Sequence, residues 1–283
     1  MSSQAVAIVT GAAGGMGRAC ARTFGRTQTL VLMDINEAGL KAFAAGLEEE
    51  GYTVAAAIAG DLAEQSVVDE VVGKAREAGR LRTVMHTAGL SPALAPWDAI
   101  LRTNVSATER LLRAVEEKLE PGLAAVLIAS MAGIMAQAVP EIDAVMDASL
   151  ADDFLQRAGP LLEQHTNPAN PAGRAGTAYS HSKRTVMRIC ELRARSWGRK
   201  DARIMSISPG MISTPMGRAE QRATELSARL AAAAPMGRQG TPLDIAAAAA
   251  FLASDAAGFV TGCDLLVDGG LTAGPGARRL RLD

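Results

Sequence analysis

Tyr179 and Lys183 stand four residues apart in Tyr-Ser-His-Ser-Lys, inside a run that reads as helix. At that spacing both side chains leave the same helix face. A phenol ordinarily releases its proton near pH about 10. A cation beside it favours the phenolate and draws that value toward neutral. The pair is therefore a candidate general acid/base for proton exchange near physiological pH. A tyrosine and a lysine at this spacing also occur on ordinary surface helices, so the pair acquires meaning only from its surroundings.

The chain opens on such surroundings. Ala5–Thr10 (AVAIVT) reads as a buried strand, and Thr10-Gly11-Ala12-Ala13-Gly14-Gly15-Met16-Gly17 follows at once. Glycines between a first strand and a helix let backbone approach a pyrophosphate, and the helix start offers N–H groups and a positive dipole end. Asp34 closes a second strand, Thr29–Met33, 17 residues beyond Gly17. A carboxylate there accepts hydrogen bonds from both hydroxyls of an adenine ribose and repels a 2′-phosphate. Ile35 and Asn36 follow it, with no arginine or lysine, so the expected cofactor is NAD rather than NADP.

Strand and helix alternate along the rest of the chain. Strands are expected at Thr53–Ile58, Leu81–His86, Leu123–Ala129, Ala202–Ile207 and Asp264–Val267. Helices are expected at Gly14–Gly25, from Asn36 to Glu50, and at Glu64–Ala78, Ala99–Glu120, Ala178–Trp197, Arg218–Ala233 and Pro242–Ala253. Crossovers of this length imply a parallel sheet with helices on both faces. No composition shift, linker or repeat marks a second unit, so residues 1–283 are read as one α/β, Rossmann-type, doubly wound domain.

Composition excludes several classes. A net charge of −1 without basic clusters, and 3% aromatics, disfavour nucleic-acid binding. No apolar run reaches a membrane span, and no signal-peptide pattern precedes the first strand. Cys20, Cys190 and Cys263 are scattered and odd in number, which points to a reducing cytoplasm rather than a disulfide framework. His86, His165 and His181 have no metal-ligand spacing, and no metal is expected.

Taken together, Gly11, Gly15 and Gly17, Asp34, Asp61-Leu62, Ala88-Gly89, Asn104, Ser130, Tyr179, Lys183, Pro209-Gly210 and the ending Val267-Asp268-Gly269-Gly270 resemble the short-chain dehydrogenase/reductase family. Gly11, Gly14 and Gly17 also fit its longer, epimerase-like branch, whereas chain length and Val-Asp-Gly-Gly favour the short single-domain branch. The resemblance implies that Tyr179 exchanges a proton with the substrate oxygen and that Lys183 lowers the tyrosine pKa and holds the nicotinamide ribose. It implies that Ser130 hydrogen-bonds the substrate oxygen and that Asn104, within a helix, positions a water relaying protons from Lys183. Cofactor contacts are implied for Gly11, Gly15, Met16 and Gly17, and for Asp34 and Ile35. Asp61 and Leu62 would contact the adenine, and Ala88 and Gly89 would flank the ribose. Pro209, Gly210, Ile212 and Thr214 would line the nicotinamide.

Two departures stand out. The family often carries Asn-Asn-Ala-Gly after the fourth strand, where this chain has His86-Thr87-Ala88-Gly89. That leaves a backbone-supporting amide in question, with His86 either packed or facing solvent. His181 should leave another helix face and receives no chemistry. Second, Ser130 and Tyr179 are 49 positions apart. A structureless loop beyond about 15 residues is unusual in a compact domain. Ile142, Val145, Met146, Leu150, Phe154, Leu155 and Leu161 recur near helical spacing, so one or two amphipathic helices are expected over 140–164, then turns over 165–176. The insertion, residues 136–176, is either a decoration or a wall of the substrate pocket that also covers a helix face used for subunit pairing elsewhere in the family. In this it resembles the bacterial 3α-hydroxysteroid dehydrogenase/carbonyl reductase group, which implies a homodimer through the C-terminal helices and last strand.

Ser213–Ala234, with Met216, Leu226 and Leu230, reads as a lid over an apolar alcohol or ketone, or as a plain amphipathic surface helix. Residues 274–283 read as a frayed tail or a basic anchor for acidic partners. Three function classes stay open. They are an NAD-dependent dehydrogenase of a secondary alcohol, an enoyl or acyl-carrier ketone reductase on the same scaffold, and a non-catalytic dinucleotide sensor. The sensor would be expected to have lost Ser130, Tyr179 and Lys183, all of which are present.

Overall fold

The computed structural model describes residues 4–169, 172–223, 229–230 and 233–273. Among these, seven strands form one parallel sheet: β1 (Ala5–Thr10), β2 (Thr29–Asp34), β3 (Val54–Ala59), β4 (Arg80–His86), β5 (Ala124–Ile128), β6 (Arg203–Pro209) and β7 (Asp264–Val267). Their order across the sheet is β3-β2-β1-β4-β5-β6-β7. Successive strands add to one side of β1 and then, from β4, to the other. The chain ends after β1 and β4 therefore diverge and leave a crevice at the edge of the sheet.

Both faces of the sheet are covered. In β1, Val6 and Ile8 enter one apolar layer and Ala7 and Val9 the other. The helices α1 (Gly15–Gly25), α2 (Glu37–Glu49) and, near the chain end, Pro242–Ala253 supply the layer containing Phe24, Leu40, Phe43 and Ile245. The opposite layer takes Val68 and Val71 from α3 (Gln65–Ala78), with Leu111 and Trp197 from later helices. Strands buried on both faces read as continuous apolar runs, as β1, β2 and β5 do.

The expected helix Ala99–Glu120 is three pieces: α4 (Trp97–Leu101), a π-helical stretch Arg102–Ser106, and α5 (Ala107–Glu116). The wide turn carries Asn104. A short helix absent from the sequence reading, α6 (Met131–Met135), follows β5 and is capped by Ser130. The insertion forms two helices, α7 (Pro140–Asp147) and α8 (Phe154–Gln164). The helix carrying Tyr179 and Lys183, α9 (Gly173–Gly198), starts five residues before the expected Ala178, inside the stretch read as turns.

Together α7 and α8 make a third apolar cluster. Ile142, Met146, Phe154 and Leu162 pack with Ile100, Leu101 and Val105 beside α4 and with Ala178 of α9. Each such side chain contributes about 2 kcal/mol relative to exposure. Ion pairs fasten the rim: Asp143 reaches Arg184 at 3.2 Å and Arg188 at 3.5 Å, and Asp147 reaches Arg188 at 2.9 Å. The predicted lid begins as α10 (Pro215–Ala223), and Pro242–Ala253 is α11. Leu226 and the tail 274–283 lie outside the described residues. No described helix is long and apolar enough to cross a membrane.

Candidate active site

The cofactor turn is built from backbone. Gly11 has φ +65°, and a Cβ there would sit 2.7 Å from Ala88 N, because the turns after β1 and β4 touch. A side chain on Gly17 would collide with the carbonyl of Gly11. Gly14 donates to Gly11 O at 3.0 Å and caps α1 with no side chain, so the first N–H groups of α1 face the crevice without intrahelical partners. Gly15 abuts the methyl of Thr214. The turn has the narrowness and donors that a pyrophosphate requires.

Asp34 is tied to that turn. Its Oδ2 accepts from Ala13 N at 2.8 Å and its Oδ1 from Asn36 N at 2.9 Å. Ile35 is exposed beside it. Asp61, also exposed, accepts from Ala63 N at 2.8 Å. The side chain of Leu62 is buried with Val31, Ile58 and Val68, which leaves its main chain to meet an adenine.

On the other side of the crevice, side chains converge. Ser130 leaves the end of β5 and caps α6, its Oγ accepting from Ala132 N at 3.2 Å. Lys183 donates to Ile128 O at 2.8 Å, so its ammonium is anchored on the strand that delivers Ser130. The ammonium lies 6.0 Å from the centre of the Tyr179 ring, one helical turn back. A Cβ on Gly89 would stand 3.2 Å from both Lys183 Nζ and Asn104 Oδ1, which places both groups against the same side of that glycine. The Asn104 amide accepts from Leu90 N at 2.8 Å and donates to Leu90 O and Ser182 Oγ, each at 3.0 Å.

Ser130, Tyr179 and Lys183 open on a cavity of about 380 Å³, a size suited to a small organic ligand. Pro209, Gly210, Ile212 and Thr214 line it, and Met16 and Gly89 do too. The sequence reading missed much of the remaining wall: Met131, Met135 and Met211, with Leu90, Pro92 and Ala93. Apart from Lys183, no charged side chain lines it among the described residues. Helices α7 and α8 contribute nothing to the lining; the insertion reaches the cavity only through Ala172 and Gly176. Of the two readings of the insertion, α7 and α8 fit the decoration, while its end at Ala172 and Gly176 forms part of the pocket wall. The apolar faces of α7 and α8 are used on α4 and α9, away from the crevice.

The two histidines nearest the site are buried. His86 is packed between two threonine hydroxyls, and burial, then the Lys183 charge, holds its pKa down at about 3. Burial likewise lowers His181 to about 4, against the opposing pull of the Asp143 carboxylate. Neither opens on the cavity. The ending Val-Asp-Gly-Gly is structural: Asp268 accepts from Gly270 N and from both the amide and hydroxyl of Thr272, and Gly210 packs against it.

Comparison with known proteins agrees with this architecture. A family described as short chain dehydrogenase matches residues 5–141, and one described as Enoyl-(Acyl carrier protein) reductase matches 144–272. A short-chain dehydrogenase/reductase of Alternaria brassicicola, bsc3, is 33% identical over 96% of this chain and 97% of its own. The chain belongs to the short-chain dehydrogenase/reductase family. The D-threitol dehydrogenase of Mycolicibacterium smegmatis is 33% identical over 94% of this chain and 92% of its own. Among solved structures, a 7α-hydroxysteroid dehydrogenase complexed with NADH and 7-oxo glycochenodeoxycholic acid superposes with a TM-score of 0.73 at 25% identity, covering 94% of this chain and 93% of the other. The chain is thus an oxidoreductase whose family binds a nicotinamide dinucleotide, with alcohol dehydrogenases among its relatives.

Proposed function

We propose that the protein is an NAD(H)-dependent dehydrogenase interconverting a neutral, apolar secondary alcohol, alicyclic or steroid-like, with its ketone. The observation that carries this is the cavity itself. Ser130, Tyr179 and Lys183 meet in a space whose other walls are mainly methionine and aliphatic side chains, with Thr87, Ser180 and Thr214 the further hydroxyl residues among them. A polyol would leave hydroxyls unpaired against such walls, at about 1–3 kcal/mol for each unsatisfied group. Methionine adapts to irregular apolar shapes and suits a bulky ring system.

In ketone reduction, Ser130 Oγ donates to the carbonyl oxygen and Tyr179 delivers the proton to it. Alcohol oxidation runs the proton the other way. The Lys183 ammonium stabilises the phenolate that results, and reprotonation proceeds past Lys183 toward Asn104. When bound, the nicotinamide supplies or accepts the hydride. Gly11, Gly15, Met16 and Gly17 would hold the pyrophosphate, with Ala88 and Gly89 at the ribose and Pro209, Gly210, Ile212 and Thr214 at the nicotinamide. Asp34 supports NAD over NADP: each of its oxygens keeps acceptor capacity after accepting from Ala13 and Asn36.

A second reading, reduction of an enoyl or ketone group on an acyl carrier, is favoured by the family description matching 144–272. We further propose a homodimer built through the C-terminal helices and last strand in a reducing, cytoplasmic setting. Leu243 and Phe251 of α11, Phe259, and Leu266 of β7 are each exposed, and all belong to the C-terminal helix and last strand or the turn between them. The deciding assay is NADH formation from a panel of cyclic and steroidal alcohols, threitol and galactitol, with NADH consumption by acyl thioesters. Turnover of polyols alone would sink the apolar reading.

A further inference from the structure

A buried hydrogen-bond chain runs behind the site, and none of the roles above uses it. His86 Nδ1 lies 2.8 Å from Thr10 Oγ1, and His86 Nε2 lies 2.8 Å from Thr108 Oγ1. Thr108 Oγ1 is 2.9 Å from the main-chain carbonyl of Asn104, and Ala88 N is 3.5 Å from Thr10 Oγ1. Thr10, His86 and Thr108 are all at most 2% exposed.

The two ends of the chain dictate its direction. Asn104 O can only accept, so the single Thr108 hydroxyl proton goes to it. Thr108 Oγ1 must then accept from His86 Nε2–H. That leaves His86 Nδ1 as an acceptor, filled by the Thr10 hydroxyl. Thr10 Oγ1 in turn accepts from Ala88 N–H. Every atom is satisfied in this arrangement. In the reverse order the Thr10 proton would face a second donor, Ala88 N–H. A charged imidazole, with both nitrogens donating, meets the same conflict, and burial also opposes it.

We infer that His86, as the neutral Nε2–H tautomer, is a positioning residue that ties the Ala88–Gly89 segment through Thr10 and Thr108 to the carbonyl of Asn104. The amide of Asn104 is clamped by Leu90 and Ser182, and its carbonyl by Thr108. The carbonyl lies in the π-helical stretch, where the helix ladder shifts register and main-chain direction is least constrained. A rigid imidazole with nitrogens on opposite sides sets the separation of the two threonines. The chain thereby sets where Asn104 stands relative to Lys183, which packs beside it against Gly89. This rests on the proposed place of Asn104 in the proton path.

The test is Thr108→Val, close in shape but without the hydroxyl, with Thr108→Ser as the variant that restores it. Thr108→Val should lower kcat by about tenfold or more, within the roughly 100-fold that a misplacement of about 1 Å can cost. NADH affinity should stay unchanged, and Thr108→Ser should recover kcat. Unchanged kcat in Thr108→Val would overturn the inference. If that protein folds poorly, the native enzyme still decides. With three histidines in the sequence, ring-nitrogen NMR of the 15N-histidine protein gives three spin systems, and Thr108→Ser identifies the one from His86. A protonated Nε2 and bare Nδ1 are expected; a protonated Nδ1 overturns the inference. Asn104→Ala separates the two readings. If it keeps kcat, the proton path through Asn104 fails. If it loses kcat while Thr108→Val does not, only the role of His86 fails.

Discussion

On the β1–β2 side of the crevice, the cofactor turn is shaped by the absence of side chains. Gly11 meets Ala88 N, and Gly17 meets the Gly11 carbonyl. On the β5–α9 side, the site is shaped by side chains that hold one another: Lys183 on Ile128 O, Asn104 on Leu90 and Ser182, and Ser130 on Ala132 N. A backbone cradle tolerates almost no substitution because added atoms have nowhere to go. A side-chain network tolerates substitutions that keep its donors and acceptors. Damage on the first side should therefore appear in binding and stability, and damage on the second in turnover.

The largest expected effect is on the side-chain half. Tyr179→Phe should reduce turnover by about 10²–10⁴-fold while NADH binding, followed by fluorescence titration, stays unchanged. Retained activity would remove Tyr179 as the acid/base. On the backbone half, Gly17→Ala should abolish measurable NADH binding and cost about 1–3 kcal/mol of stability in denaturant melts. Native-like binding in that protein would show that the cradle is not as tight as its contacts indicate. Next in size is Asp34→Ala. Loss of charge-assisted hydrogen bonds should narrow the preference for NAD over NADP by about tenfold or more in kcat/KM. An unchanged ratio would refute the role given to Asp34.

Acid should act on the side-chain half. His86 and His181 have folded-state pKa values near 3 and 4, below their ordinary 6.5. Between those values the unfolded chain binds more protons, so stability is full above pH about 6.5 and falls as pH drops toward 4, by about 1.4 kcal/mol per pH unit for each histidine. Melting temperatures from pH 7.5 to 4.5 test this; a flat profile contradicts the neutral burial of both rings. The smallest effect on turnover belongs to the insertion. Asp143→Asn removes the charge of a buried carboxylate paired with Arg184 and Arg188 and should cost about 1–3 kcal/mol of stability, with kcat unchanged because α7 does not line the cavity. A change in substrate preference would return α7 to the pocket wall. Light scattering bears on the same helices: a tetramer paired through the faces of α4, α5 and α9 would rule out the proposed dimer.

Much of this was legible in the chain itself. Gly11–Gly17 and the alternation of apolar runs determine a parallel sheet with a tight glycine turn after β1. The physical reason is local: positive φ and close backbone approach admit glycine and little else. The spacing of Tyr179 and Lys183 determines a shared helix face, and the apolar period of 140–164 indicates one or two amphipathic helices, of which the structure has two. Where those helices dock was decided only in three dimensions, because an apolar stripe says that it must be covered and not by what. The methionine lining, the core burial of Leu62, the widened turn at Asn104 and the partners of His86 were decided there too. Each depends on side chains brought together from distant strands, and no local pattern records those contacts.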